Sequence, residues 1–280
     1  MSEQMMPAAF SPPRLTKVQF AAIRELVFRV SGINLHEGKE GLVQSRLARR
    51  LRALGLPDFD GYLEHVRADG TGKALSDLVD ALTTNKTSFF RESRHFDLLR
   101  EQIVPALVAR QRRIRLWSAG CSSGEEPYTL AMVLRHAMPS MGALDVRILA
   151  TDLATPVLDQ ARQGVYAETA LRDVPERYAR TCFRCVRREP PRAHRVTEDV
   201  RALVQFARLN LIDPWPMRGP MDVIFCRNVM IYFRKETQER LIERFTDLLA
   251  PGGTLFVGHS ESLSGIAHSL RYVQPSVYVK

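Results

Sequence analysis

The stretch RLWSAGCSSGEEP, residues 115–127, joins an apolar segment to a loop bracketed by two glycines, and then to two carboxylates and a proline. The apolar segment predicts a β-strand, and Pro127 is typical of the first turn of a helix, where its missing N–H leaves no bond unmade. Glycines between a strand and a helix let the backbone come close to a ligand and direct free amides at it. The stretch therefore predicts a ligand-binding turn of an α/β fold.

This loop differs from the common phosphate-binding loops. It lacks the G-x-G-x-x-G of dinucleotide enzymes and the lysine of a P-loop, and it places Glu125 and Glu126 where a pyrophosphate would sit. A ligand with a cationic end suits these carboxylates better. Gly120, the first glycine of the loop, is a candidate binding residue.

A second apolar segment, VRILAT at 146–151, is followed directly by Asp152. A carboxylate at the carboxyl edge of a parallel sheet can accept hydrogen bonds from both hydroxyls of a ribose. An isolated aspartate in such a place is more often the N-cap of the next helix. Because the glycine loop lies one βαβ unit earlier, ribose binding is the preferred interpretation of Asp152.

Two further strand ends carry groups that suit a nucleoside with an amino-acid tail. The segment FARLNL ends in Asn210 and Leu211, and the segment IFCRN ends in Arg227 and Asn228. Amide and apolar side chains of this kind can hold an adenine ring and an amino-acid group.

From about residue 93 the chain alternates between short apolar strands and helices, which is typical of a parallel sheet with crossover helices. The predicted strands are 114–118, 146–151, 204–209, 223–226, 255–258 and 277–280. The predicted helices are 127–138, 156–163 and 235–249. The glycines that follow the last helix are expected to end it in a turn and to open the next strand.

Changes in the pattern of apolar residues along the chain predict the domain organisation. Residues 1–13 are predicted to form a disordered tail, 14–82 a small helical domain, 83–92 a connector and 93–280 the α/β domain. Within the last, residues 166–200 are rich in arginine and contain two strand-like segments, 182–187 and 194–197. They predict an inserted β-hairpin subdomain, with a long basic loop as the alternative.

The bulk composition restricts the classes of function. The 280 residues carry a formal net charge of +9, which predicts attraction to nucleic acid, anionic lipid or an acidic protein surface. No apolar run approaches the ~20 residues of a membrane span, and the first residues lack a signal-peptide pattern, so a cytoplasmic protein without membrane insertion is expected. Cys182 and Cys185 form a C-x-x-C without a second ligand pair nearby, so no metal site is expected.

Three arginines lie on one face of the predicted helix 39–54. Arg46, Arg49 and Arg50 flank its apolar stripe at spacings that bring them together. They are candidates for docking an acidic substrate surface. An ordinary solvated helix face is the alternative, and charge clusters on helices are usually only that.

Four longer motifs carry a resemblance to a known family: NKTSFFR at 85–91, the segment 117–128, FCRNVMIYF at 225–233 and GHSE at 258–261. The order of the strand ends resembles the Rossmann-like sheet of class I methyltransferases. More narrowly, the motifs resemble the CheR family, the chemotaxis receptor glutamate methyltransferases. This resemblance implies methyl transfer from S-adenosylmethionine to glutamate carboxylates on the methylation helices of a chemoreceptor, with S-adenosylhomocysteine as product. A monomer is expected, because nothing in the sequence demands more.

The same resemblance implies which residues form the site. The residues expected to line the S-adenosylmethionine pocket are Asn85, Thr87, Arg91, Glu126, Asp152, Asn210, Leu211, Arg227 and Asn228. Glu126 rather than Glu125 is expected to make the contact, and the connector 83–92 contributes to the cofactor site. Arg91 and Tyr232 are expected nearest the methyl group and the incoming carboxylate, as the catalytic residues.

Some family members bind a receptor C-terminal peptide at the inserted subdomain. Here residues 182–200 contain no glycine and place Pro190 and Pro191 at the apparent turn, which argues against such tethering.

The chemistry of a glutamate acceptor is consistent with these residues. A side-chain carboxyl with a pKa near ~4.3 is ionised at neutral pH, so catalysis needs no general base and depends on holding carboxylate, methyl and sulfur in line. His259, in the GHSE motif, is therefore interpreted as a packing or hydrogen-bonding residue.

Two other functions are compatible with an S-adenosylmethionine pocket. A nucleic-acid methyltransferase that modifies base amines typically carries an Asn/Asp-Pro-Pro-aromatic run after the fourth strand, where this chain has Arg227 and Asn228. The basic segments also lack the interleaved aromatic residues of a single-strand-binding groove, so nucleic acid is not expected as a partner. A non-catalytic sensing module could dispense with Arg91 and Tyr232, which are both present.

Overall fold

The computed structural model describes residues 13–138 and 144–280. The chain folds into two compact units that divide between Thr83 and Thr84. Apart from Pro13, the predicted disordered tail lies outside the described residues. No helix among the described residues is long and apolar enough to cross a membrane.

The first unit is a bundle of four helices. They are α1 Lys17–Ser31, α2 Glu40–Leu54, α3 Phe59–Ala68 and α4 Lys73–Leu82. Thr16 caps α1 through a capping box with Gln19, in which each side chain accepts a hydrogen bond from the other residue's backbone N–H. The core is formed by buried apolar side chains such as Ile23, Leu47 and Phe59. The prediction of a small helical domain is confirmed.

The second unit contains two β-sheets. Its strands are β1 Arg113–Ala119, β2 Asp145–Asp152, β3 Val165–Ala167, β4 Phe183–Arg187, β5 Ala193–Val196, β6 Val204–Arg208, β7 Met221–Cys226, β8 Leu249–Val257, β9 Arg271–Gln274 and β10 Val277–Val279. The large sheet has seven strands in the order β6-β2-β1-β7-β8-β10-β9. Its first five strands are parallel, and β10 pairs antiparallel with both β8 and β9. The predicted Rossmann-like sheet is confirmed.

Helices cover both faces of this sheet. They are α5 Arg94–Leu98, α6 Val104–Arg110, α7 Glu125–Ala137, α8 Thr155–Gln163, α9 Glu176–Cys182, α10 Glu198–Arg201 and α11 Lys235–Leu248, with a π-helical turn at Leu99–Ile103 between α5 and α6. Successive residues of β1 enter different apolar clusters: Leu116 packs in the cluster that contains α7 residues, and Trp117 packs in the cluster that contains Phe245 of α11. This alternation explains why consecutive residues in the centre of β1 are apolar.

The region after α11 differs from the prediction. The helix ends at Leu248, and β8 begins at Leu249 and runs through both glycines instead of starting after them. A Cβ on Gly253 would lie 2.8 Å from the carbonyl oxygen of Ala250 and 3.1 Å from that of Met221. Ala250 belongs to the same strand, and the pairing of β8 with β7 skips here from Leu249 to Thr254, where Gly252 has a φ of 75°. The predicted glycine turn is therefore present as an irregularity inside β8 and not before it. Strand β9 was not predicted, because its RYVQ sequence is exposed and shows no buried face.

The inserted segment forms the second sheet, in the order β3-β5-β4. Strands β4 and β5 pair antiparallel, as predicted for a hairpin, and β3 adds a third strand through Val165–Arg195 and Tyr166–His194 pairing. Strand β4 forms an outer edge of this sheet, and four of its five residues are exposed.

Candidate active site

The carboxyl ends of four neighbouring strands meet at one edge of the large sheet. Because β6, β2, β1 and β7 are adjacent and parallel, the residues that follow them line up in the same order. Asn210, Asp152, Gly120 and Arg227 thus form a row. The sequence predicted each of them separately, and the topology brings them to one edge.

The glycine loop after β1 is held against β2 by two hydrogen bonds. The backbone N–H groups of Gly120 and Cys121 donate to the carbonyl oxygen of Thr151 at 2.8 and 2.9 Å. Gly120 has a φ of 84°, and a Cβ at this position would lie 2.4 Å from Cγ2 of Val229. The glycine is therefore required by the loop after β7, a packing reason that the sequence did not reveal.

Asp152 ends β2 with both carboxylate oxygens hydrogen bonded. Oδ2 accepts from the backbone N–H of Ser122 at 2.8 Å, and Oδ1 accepts from that of Ala154 at 2.9 Å. Burial raises the pKa of this carboxyl, while the backbone amides oppose that rise. The side chain thus fixes the glycine loop and the start of α8 together, and each oxygen keeps a lone pair for a further donor such as a ribose hydroxyl.

Glu125 and Glu126 have different partners. Oε2 of Glu125 accepts from the Ser123 hydroxyl at 2.6 Å, whereas Oε1 of Glu126 accepts from the Ser118 hydroxyl at 2.7 Å. The second oxygen of Glu126 lies 3.6 Å from Nη1 of Arg227. Burial raises the pKa of both carboxyls, and for Glu126 the guanidinium opposes this rise. Glu126 is therefore the member of the pair that shares its surroundings with the other predicted site residues.

Arg227 is a buried cation with two carboxylate neighbours. Only 2% of its side chain is exposed, and its Nε lies 3.3 Å from Oε2 of Glu92. It also donates to the backbone carbonyl of Arg91, which joins the segment after Thr84 to the end of β7. Nε and Nη1 have no hydrogen-bond partner among the described residues. Both nitrogens lie beside carboxylates without forming a hydrogen bond, so the guanidinium can still donate to an anionic ligand group.

Glu92 was missed by sequence reasoning, although it directly follows the quoted motif NKTSFFR. Its Oε1 accepts from the backbone N–H of His259 at 3.2 Å and from Nδ2 of Asn228 at 3.4 Å. Glu92 and Phe90 both have a positive φ, of 58° and 55°, which is uncommon for residues other than glycine. The contacts join positions 136 and 167 residues apart, so no local pattern could indicate them.

A second missed residue, Glu261, organises the loop after β7. Its carboxylate accepts hydrogen bonds from four backbone N–H groups, at 2.6 to 3.2 Å. The donors are Asn228, Val229, Ile231 and Gly258. Asn228 is held in a left-handed conformation with a φ of 59°. Burial raises the pKa of Glu261, and the four amides oppose this. The GHSE motif could have indicated the residue but not its role.

The remaining predicted residues lie near this edge or in its loops. The carbonyl oxygen of Asn85 accepts from the Ser122 hydroxyl at 3.1 Å, which places the start of the NKTSFFR motif beside the glycine loop. Arg91 donates to the carbonyl of Lys86 at 2.8 Å. The half-buried Thr87 lies between them in the chain. Tyr232 is half-buried and ends the 3₁₀ turn Met230–Tyr232. Leu211 is buried immediately after Asn210.

The three arginines of α2 have different surroundings within the first unit. Arg46 donates to the carbonyl oxygens of Leu82 and Thr83, at 2.7 and 2.8 Å, at the end of α4. Arg50 lies 3.3 Å from the carboxylate of Asp77 and also donates to its backbone carbonyl. Arg49 is exposed. Two members of the predicted patch therefore also stabilise α4.

His95 and His259 lie beside the same oxygen of Glu92, and their ring centroids are 5.1 Å apart. His95 is 1% exposed, and burial together with the Arg227 guanidinium lowers its pKa to about 4. The imidazole is therefore neutral at pH 7. The side chain of His259 is 53% exposed, while its backbone N–H donates to Glu92.

Comparison with known proteins yields two family models that match consecutive parts of the chain. The model described as CheR methyltransferase, all-alpha domain, matches residues 19–83. The model described as CheR methyltransferase, SAM binding domain, matches residues 85–279.

Individual relatives match most of the chain. The chemotaxis protein methyltransferase 2 of Pseudomonas aeruginosa is 45% identical over 94% of this chain and 93% of its own length. The chemotaxis protein methyltransferase of Salmonella typhimurium is 39% identical over 94% and 90%. That of Borreliella burgdorferi is 38% identical over 95% of each chain.

Proposed function

The chain belongs to the CheR family of S-adenosylmethionine-dependent methyltransferases, and we propose that it esterifies glutamate side chains of a bacterial chemoreceptor. The names of its relatives place them in chemotaxis, which supports a receptor as the substrate. The observation that carries the proposal is the row of residues at the carboxyl edge of the sheet, closed by Arg227 and the segment that contains Arg91.

The residues at this edge fit S-adenosylmethionine. Asp152 would accept the ribose hydroxyls, and Asn210 and Leu211 would contact the adenine ring. Arg227, a buried cation whose Nε and Nη1 lie beside carboxylates without hydrogen bonding to them, would bind the carboxylate of the methionine tail. Glu126, beside it, would accept from the ammonium group. Gly120, Asn85, Thr87 and Asn228 would form the walls of the cofactor pocket.

The bound cofactor supplies a methyl group on a positively charged sulfur, which is a good leaving group. The acceptor glutamate is already ionised at neutral pH. In the transfer, a bond forms between a carboxylate oxygen and the methyl carbon while the carbon–sulfur bond breaks, and no proton moves. We assign to Arg91 and Tyr232 the orientation of the incoming carboxylate, by ion pairing and by hydrogen bonding from the phenol.

Docking of the receptor is assigned to Arg46, Arg49 and Arg50. The net charge of +9 favours approach of an acidic surface, and this attraction weakens as salt rises. Arg49 is expected to contribute most, because Arg46 and Arg50 already bind groups of the same unit. We do not include a receptor C-terminal peptide at β4 in this proposal, since the turn between β4 and β5 has the Pro190-Pro191 pair and no glycine.

The decisive experiment is transfer of labelled methyl from S-adenosylmethionine to receptor-containing membranes, followed by treatment with base. A glutamyl ester releases labelled methanol, whereas label that resists base would indicate N-methylation and overturn the proposal.

The role of Arg91 is tested by Arg91→Ala against the exposed Arg94→Ala as matched control. We expect Arg91→Ala to lower turnover about 100-fold or more while cofactor affinity changes much less. Unchanged turnover in Arg91→Ala, or an equal loss in the control, would exclude this role.

A further inference from the structure

Three side chains with metal-binding atoms converge beside the candidate active site. Oε2 of Glu92 lies 3.5 Å from Nδ1 of His95 and 4.0 Å from Nε2 of His259. One ligand atom from each residue lies within 4.8 Å of the others. Glu92 and His95 are three residues apart where the chain enters α5, and His259 follows the end of β8. The sequence did not predict this group, because its members are far apart in the chain.

The buried members of the group are not satisfied by the protein. His95 is 1% exposed, and neither of its ring nitrogens has a hydrogen-bond partner in the part of the chain that the structure describes. Oε2 of Glu92 also makes no hydrogen bond in this part of the chain, although the Arg227 guanidinium lies 3.3 Å from it. Buried polar atoms without partners are costly, so their convergence points to a ligand that accepts lone pairs.

The distances suit a divalent transition metal after a small movement. Zinc–nitrogen and zinc–oxygen bonds of about 2.0–2.2 Å in a tetrahedral site place the ligand atoms roughly 3.4 Å apart. The pair Glu92–His95 already has nearly this separation. His259 has to approach by about an ångström, and its side chain is 53% exposed and therefore free to do so. Its exposed side also leaves room for water as the fourth ligand.

Arg227 limits how tightly such an ion is held. Its Nε lies 3.3 Å from the same oxygen of Glu92, and a dication there would repel the guanidinium. Arg227 would then depend on Glu126 alone as its carboxylate partner, while Asn228 donates to the other oxygen of Glu92. Arg227 belongs to the cofactor site proposed above, so occupation by metal and binding of cofactor should oppose each other.

We propose that Glu92, His95 and His259 form a binding site for a divalent transition-metal ion, represented by Zn²⁺, whose occupation weakens cofactor binding. The inhibitory half of this proposal rests on the proposed cofactor site. The binding half does not, because it is measured with the metal alone.

The first experiment titrates chelator-treated, tag-free full-length protein with Zn²⁺ by calorimetry, and with Co²⁺ by visible absorption. His259→Ala is the test variant because its side chain is exposed and its loss leaves the core intact. We expect a single class of site whose affinity falls at least about tenfold in this variant. Two controls should leave the affinity unchanged: His36→Ala removes an exposed histidine of the first unit, and Cys185→Ser removes an exposed thiol.

Equal Zn²⁺ affinity in the wild type and His259→Ala, or an equal loss in a control variant, would overturn the proposed metal binding.

The second experiment measures the dissociation constant of S-adenosylhomocysteine with and without Zn²⁺. We expect Zn²⁺ to weaken binding at least about tenfold in the wild type and much less in His259→Ala. If Zn²⁺ binds at the three residues but leaves the dissociation constant of S-adenosylhomocysteine unchanged, the proposed inhibition of cofactor binding is wrong. Failure of methyl transfer to receptors would affect neither result.

Discussion

Arg50 in the helical unit and Arg227 in the sheet unit both pair with carboxylates, but in different surroundings. The side chains of Arg50 and its partner Asp77 are each about one-third exposed, at 33% and 32%. Arg227 is 2% exposed and lies between Glu92 and Glu126, which are 11% and 13% exposed. Exposed pairs contribute little to stability, whereas removal of one partner of a buried pair leaves an uncompensated charge. An arginine thus contributes little to stability in the helical unit, whereas in the sheet unit it compensates two buried carboxylates.

Arg227→Ala should have the largest effect. It leaves two carboxylates buried without their cation, so we expect a loss of about 3–5 kcal/mol in the free energy of unfolding. Urea unfolding followed by circular dichroism measures this, with Arg50→Ala as the matched control. Cofactor affinity should fall as well. A loss below about 1 kcal/mol would show that Glu92 and Glu126 are protonated or hydrated in the variant, and the comparison between the two arginines would fail.

Glu261→Gln should come next. The amide keeps the shape of the side chain but replaces one accepting oxygen by a donor, which faces backbone N–H groups of the loop after β7. We expect a loss of about 2–3 kcal/mol in stability and a lower kcat/KM. The exposed Glu243→Gln in α11 serves as control and should change neither. Wild-type kcat/KM in Glu261→Gln would mean that this loop holds its geometry without the carboxylate.

Gly120→Ala tests the packing of the glycine loop on Val229. The added methyl would clash with Cγ2 of Val229, and the alanine would have to adopt an unfavourable positive φ. We therefore expect destabilisation of about 2–3 kcal/mol. In a Val229→Ala background the clash is removed and only about 1 kcal/mol of backbone strain should remain. An equal cost in both backgrounds, measured in a double-mutant cycle, would exclude the steric explanation.

The smallest effect is expected for the exposed pair. A double-mutant cycle of Arg50→Ala and Asp77→Ala should give a coupling energy below about 1 kcal/mol, and added salt should reduce it. A coupling energy of several kcal/mol would show that the greater solvent exposure of Arg50 does not make its ion pair weaker than that of Arg227.

The sequence predicted the positions of the strands well where apolar segments end in a distinctive polar residue, as at Asp152 and Asn228. It failed for β9, whose exposed RYVQ sequence has no apolar pattern, and it began β8 after the two glycines, which instead form an irregularity inside the strand. Glu92 and Glu261 were missed for a different reason. All of their hydrogen-bond partners named above except Gly258 are 30 to 167 residues away, and a sequence reveals such partners only once the sheet has brought them together.

The hydrogen bonds of the Glu261 carboxylate have a consequence for the order in which the chain folds during synthesis. It binds backbone groups of a loop that begins more than thirty residues earlier in the chain. During translation, the strands β1, β2, β6 and β7 emerge from the ribosome before the residue that fixes the loop between β7 and α11. Chains fold as they are made, so the scaffold can form while the loop is still unrestrained. The loop between β7 and α11 would then take its final conformation only after Glu261, which follows β8, has emerged.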